Sequence, residues 1–388
     1  MTALLVIIYV SFISLGLPDT ILGSVWPVIR ESLNAPLELA GYLSMTVTVG
    51  TVISSACCDA VVSRFGTGKV TAVSVAMTAA ALLGFSLSPN AACLFLCAVP
   101  LGLGAGCVDA ALNNYVALHF EARHMSWLHC FWGIGASAGP MLVSLALRSG
   151  GTWRSGYGII SVLQAGLCLV LFATLRLWKR GGKAAAETEE ETVAVPKGEL
   201  LRTRGVPAVL LGLIFYNAAE ATAGLWGASF LHERFGVSAA DAAVTSTVIF
   251  ASITVGRLLS GFAAKRFSDE ALIRAGEAAC LTGAAMVLLS GTSWMALVGV
   301  GLLGLGLAPI YPSMLHQTPR RFGAARSQSV MGLEMAFAFL GSTCFPPIFG
   351  ILAGRLGTQL YPWYLLVLAL ALTAATETAN RLIPCRTK

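Results

Sequence analysis

Residues 91–118 read AACLFLCAVPLGLGAGCVDAALNNYVAL. The only charged side chain in that stretch is Asp109. As an α-helix it would extend about 42 Å, more than the ~30 Å hydrocarbon core of a bilayer. It lacks the polar–apolar alternation of a membrane β-strand. Gly102, Gly104 and Gly106 are spaced like a nucleotide-binding turn. They lie inside an apolar helix with no preceding strand, which excludes a dinucleotide fold.

Runs of the same kind fill the chain. Twelve helices are expected at about 3–29, 38–60, 69–88, 91–118, 127–148, 156–178, 205–232, 239–262, 270–290, 293–317, 326–353 and 358–381. Hydrophobic residues make up 56% of the 388 and charged residues 11%, against the ~25% charged usual for soluble domains. The first run has no basic leader and is long, so it reads as a retained helix. Ten cysteines lie mostly within apolar runs without a CxxC pair, and they read as small apolar residues. With both termini cytoplasmic, 19 of the 25 basic residues fall in inner segments and five in outer ones. That asymmetry predicts a multi-pass protein of the cell membrane with both ends inside. The net charge of +6 thus reports topology and does not indicate a nucleic-acid partner.

One stretch, residues 179–204, is too polar to enter lipid. It reads as a cytoplasmic linker between six-helix halves at 1–178 and 205–388. Its cluster Glu187, Glu189, Glu190 and Glu191 is expected to be a solvated face. The halves align at an offset of 201 to 202: Arg64-Phe65 on Arg266-Phe267, Leu101–Gly104 on Leu303–Gly306, Gly139 on Gly341, Asp19 on Glu220. An even number of helices per half makes the copies parallel, with a solute site expected between them near the midplane.

Arg64-Phe65-Gly66-Thr67-Gly68-Lys69, and Gly256–Gly261 with Lys265-Arg266-Phe267, are similar to the loop signature Gly-x-x-x-Asp-Arg-x-Gly-Arg-Lys of the major facilitator superfamily. The resemblance implies an all-α membrane protein of twelve helices in two pseudo-symmetric halves. It also implies a cytoplasmic gate carried by Arg64, Lys69, Lys265 and Arg266. The chain departs from the signature: Asp59 occupies the first glycine position and Ser63 the aspartate position. Asp59, one turn before Ser63, is read as the substitute carboxylate. Arg257 is read as an inner anchor at the end of its helix. A narrower resemblance rests on Gly104–Asn114 and on Gly16-Leu17-Pro18-Asp19, which look like the fourth and first helices of the fucose–proton symporter branch. That branch implies Asp109 as proton carrier and Asp19 as solute contact, with a proton as coupling ion and no other cofactor.

The residues give their own reason for the same choice. A carboxylate near mid-bilayer costs at least ~2.5–3.5 kcal/mol, so it faces a cavity or a partner. Asp19 therefore reads as a proton or solute site, against the alternative of a structural hydrogen bond. Asp109 reads as a titrating site, against a static buried pair with Asn113 one turn on. His129 and Trp132 share a helical face, and the histidine is as readily structural as functional. Trp26 offers a stacking surface on the face of Asp19. Asn217, Glu220, Tyr311 and Glu334 complete the expected cavity lining, Tyr311 being the repeat counterpart of Asp109. His316 and Gln317 are expected to line an inner helix end. No Walker loop or catalytic constellation occurs, so no enzyme is expected. The reading is a monomeric symporter of a small polar solute, a sugar or polyol. Proton-coupled efflux of a hydrophobic or cationic compound is the alternative, and a non-transporting sensor is the third class.

Overall fold

A computed structural model describes residues 2–120, 122–178 and 197–383. Among them, twelve helices are long and apolar enough to cross a membrane. The first span is α1 (Thr2–Asp19) with α2 (Ile21–Leu33). The first half continues with α3 (Leu39–Phe65), α4 (Thr67–Leu87), α5 (Ala91–His119), α6 (Ala122–Arg148) and α7 (Trp153–Ala173), followed by the short α8 (Leu175–Trp178). After α9 (Lys197–Arg202) the second half comprises α10 (Val206–Phe235), α11 (Ala239–Ala263), α12 (Asp269–Leu288), α13 (Ser293–Phe322), α14 (Ala324–Leu356) and α15 (Tyr361–Leu382). Residues 179–196, with the glutamate cluster, lie outside the described residues.

The turns differ from expectation. The connection after the second span shrinks to Gly66, which takes φ +83°. That conformation is cheap only for glycine. Arg64 therefore sits on a helix end. Gly323 makes the same one-residue turn, also at φ +83°. The first span is broken at Thr20, and the cause is local. Pro18 lacks the N–H that would bond to the Ser14 carbonyl one turn back. Gln164 of α7 donates to that freed carbonyl at 2.7 Å. Pro140 of α6 likewise frees the Ala136 carbonyl, and Thr20 Oγ1 donates to it at 2.7 Å. The break and its repair pin α1 and α2 to α6 and α7, and they place Asp19 at a helix end deep inside the bundle.

The internal repeat is visible in the packing. A Cβ at Gly102 would meet the Val47 carbonyl, and one at Gly304 the Ile249 carbonyl. Gly104 approaches the Ser74 carbonyl as Gly306 approaches the Gly276 carbonyl. Each pair is related by the offset read in the sequence. Small residues let helix backbones approach closely where lipid supplies no hydrophobic drive.

The two halves meet closely at the face opposite the chain termini. Gly23 of α2 lies against Gly224 and Leu225 of α10, and Gly41 of α3 against Pro347 of α14. Ion pairs cross the same face. Arg30 pairs with Glu233, and Arg148 Nη2 with Asp241 at 2.6 Å. Ser144 Oγ donates to the Ala240 carbonyl at 2.7 Å. At the terminus-bearing face, Arg64, Lys69, Lys265 and Arg266 are exposed. Arg64 lies over the ring of its neighbour Phe65 in α3, and Lys265, just past the end of α11, over that of Phe262. The side chain of Asp59 lies outside the described residues.

Candidate functional site

Asp19 ends α1 in the interior of the bundle, yet its side chain is exposed. Its Oδ2 accepts a hydrogen bond from the Trp132 indole Nε1 at 2.8 Å. The Trp132 ring packs edge-on against Phe250 of α11, with centroids 6.2 Å apart, so this carboxylate lies where the halves meet. An exposed carboxylate at that depth faces a water-accessible cleft, since a lipid-facing one would carry the full transfer cost.

Asp109 of α5 forms the next part of the wall. Asn113 Nδ2 donates to its Oδ1 at 2.9 Å and to its carbonyl at 3.0 Å. The i, i+4 spacing on one helix face makes this geometry available. Asp109 is half-buried and lies within electrostatic reach of Asp19 and of Tyr311 across the cleft. His129 is exposed and stands edge-on to Phe12, with centroids 6.1 Å apart. Arg257 of the other half acts on it electrostatically.

The second half contributes Glu220, Arg257, Tyr216 and Tyr311. Arg257 Nη2 lies 3.9 Å from Glu220 Oε2 and donates to the Tyr216 hydroxyl at 3.4 Å. The Tyr216 and Tyr311 rings stand 5.4 Å apart. Asn217 is half-buried and donates back to the Leu213 carbonyl at 3.0 Å.

Three expected residues sit elsewhere. Arg257, expected as an inner anchor at the end of its helix, lies within α11 with its guanidinium beside Glu220 and Tyr216. Trp26 is wholly buried, so it offers no stacking face in this state. Glu334 is likewise 0% exposed. It accepts from Thr318 Oγ1 at 2.7 Å between α14 and α13, inside the second half. His316 Nδ1 pairs with Asp269 Oδ2 at 2.8 Å at a helix end, as expected. Tyr216 was not anticipated, although its position one turn before Glu220 places it on the same face.

Residues 8–333 match the Major Facilitator Superfamily. The chain is 24% identical over 396 residues to bypass of stop codon protein 6 of Saccharomyces cerevisiae, covering 91% of this chain and 77% of that protein. It is 23% identical over 328 residues to the glucose/mannose transporter GlcP of Bacillus subtilis, covering 79% of this chain and 77% of the relative. The crystal structure of nucleoside transporter NupG superposes with a TM-score of 0.77 to 0.79 in two forms. In the closer one the identity is 15%, with 96% of this chain and 99% of that one covered. A match over most of the sequence, on a bundle of twelve spans in two repeated halves, identifies this chain as a membrane transporter of the major facilitator superfamily.

Proposed function

We propose that the protein is a proton-coupled symporter of a small uncharged polar solute, a monosaccharide or polyol. The observation that carries this reading is Asp19: an exposed carboxylate deep in the bundle, oriented by the Trp132 indole at 2.8 Å. A carboxylate beside an aromatic face is what a sugar requires, hydrogen bonds for hydroxyls and a flat apolar surface for ring C–H groups. Glu220, Arg257 and Tyr311 line the opposite wall with further donors and acceptors. The Arg257 guanidinium disfavours the cationic cargo of the efflux alternative. Similarity to a glucose/mannose transporter supports the sugar class.

Orientation follows the positive-inside rule, with both termini cytoplasmic and the cleft open to the cytoplasm in this state. The bodies 1–178 and 205–388 rock about the cleft. When the inner side closes, the exposed Arg64, Lys69, Lys265 and Arg266 meet carboxylates and helix C-terminal ends. Asp109, held by Asn113, takes up the proton. Its neutralisation removes a charge from the midplane before the loaded carrier reorients. The protein works as a monomer with no bound cofactor.

Asp109→Asn separates coupling from binding. In proteoliposomes the variant should retain solute exchange and lose accumulation driven by a proton gradient. Undiminished accumulation would remove Asp109 from the coupling role.

A further inference from the structure

The Glu220–Arg257 contact is an open ion pair. A guanidinium carries five N–H donors, and a saturated carboxylate pair would bring oxygen and nitrogen within about 2.7–2.9 Å. Here the nearest approach is 3.9 Å. The hydrogen bond found for the guanidinium among the described residues, to Tyr216, is long at 3.4 Å. Both side chains reach the cleft, 22% exposed for Arg257 and 15% for Glu220. The cleft is thus offered a donor fork and an acceptor side by side, neither of them filled by the other. The buried Tyr216 backs the guanidinium through its hydroxyl, and its ring stands 5.4 Å from that of Tyr311. From the facing half, His129 and Cys130 of α6 lie within electrostatic reach of Arg257.

A solute that fills this site must satisfy two opposite charges at once. A vicinal diol does so, because each hydroxyl both donates and accepts. A carboxylate would pair with Arg257 and be repelled by Glu220. An ammonium group would pair with Glu220 and be repelled by Arg257. Building repulsion against the wrong ligand is a general route to specificity.

We propose that Glu220 and Arg257 form a charge filter that admits uncharged polyhydroxylated solutes and rejects both their acidic and their amino analogues. This rests on the sugar reading above. The filter is symmetric, so removing one member should open the site to one class of charged analogue only. Glu220→Gln should favour uronates, and Arg257→Gln should favour amino sugars.

The test is calorimetric binding to the detergent-purified full chain. The probes are glucose, mannose and galactose, their uronates and their amino sugars, at about pH 6, where the acids and amines are both charged. The wild type should bind at least one uncharged hexose and discriminate against its two charged analogues. Glu220→Gln should shift the hexose-to-uronate Kd ratio at least tenfold towards the uronate, equivalent to about 1.4 kcal/mol, with the amino sugar still excluded. Arg257→Gln should do the converse. If either single variant fails to fold, Glu220→Gln with Arg257→Gln leaves no unpaired charge and should lose discrimination in both directions. Wild-type discrimination that persists unchanged in the variants would overturn the filter and leave the sugar reading standing. A wild type that binds no uncharged hexose would overturn both.

Discussion

Gly23→Ala should drive the transporter out of the conformation described here. A Cβ at Gly23 would lie 2.5 Å from the Gly224 carbonyl oxygen, 2.6 Å from Leu225 Cα and 2.7 Å from the Leu225 carbonyl oxygen. All three are backbone atoms of the opposite half, so no side chain can rotate away, and α2 must retreat from α10 by several tenths of an ångström. Overpacking of this kind costs about 1–3 kcal/mol. The cost falls only on the state in which the far face is closed. The equilibrium should therefore move roughly five- to 150-fold towards opening of that face. Distances between spin labels at Ser32 and Arg234, exposed on either side of the far face, in a cysteine-free background, report it directly. The control is Gly261→Ala, since a Cβ at Gly261 meets nothing within 4 Å. A Gly23→Ala distance distribution indistinguishable from that of the control would refute the claim that close glycine contact seals the far face.

Further expectations concern the same elements. Arg148→Ala should move the equilibrium by no more than about 1 kcal/mol, because Arg148 and Asp241 are 53% and 57% exposed and water screens such pairs. Trp132→Phe removes the donor to Asp19 and should weaken solute binding about fivefold, near 1 kcal/mol, as read by calorimetry; unchanged affinity would place Asp19 outside the solute site. Glu334→Ala should lower thermal stability by roughly 1–3 kcal/mol, by leaving a void and reducing the buried Thr318 hydroxyl to its long 3.3 Å bond to the Met314 carbonyl, whereas Glu334→Gln should keep both stability and transport. Loss of transport in a stable Glu334→Gln protein would return that residue to the transport path.

The fold was legible because lipid imposes a simple code. Stretches such as 91–118 can satisfy their backbone only as helices, and Gly102 with Gly304 and Gly104 with Gly306, matched at the repeat offset, make equivalent contacts in the two halves, whereas Gly139 and Gly341 do not. The break in the first span was announced by Pro18, although its repair by Gln164 was not, because that partner lies 150 residues away. Asp19 and Asp109 could be chosen from the transfer cost of a carboxylate alone. That argument could not distinguish the exposed Asp19 from the sealed Glu334, since a buried carboxylate can be accommodated by a hydroxyl such as Thr318 as well as by water. Trp26 was misjudged because helical periodicity shows that residues share a face, without showing what covers it. Arg257 was misjudged because the positive-inside rule treats arginine as an anchor. A partner on another helix, here Glu220, was what could bring it into the cleft.

The most direct test of proton–sugar symport is the external pH of proteoliposomes on addition of hexoses and polyols, with Asp109→Asn as control. Proton–solute symport requires alkalinisation with at least one uncharged sugar or polyol, absent in the variant. Acidification on addition of amines, with silence for every sugar, would contradict it and establish proton-coupled efflux instead.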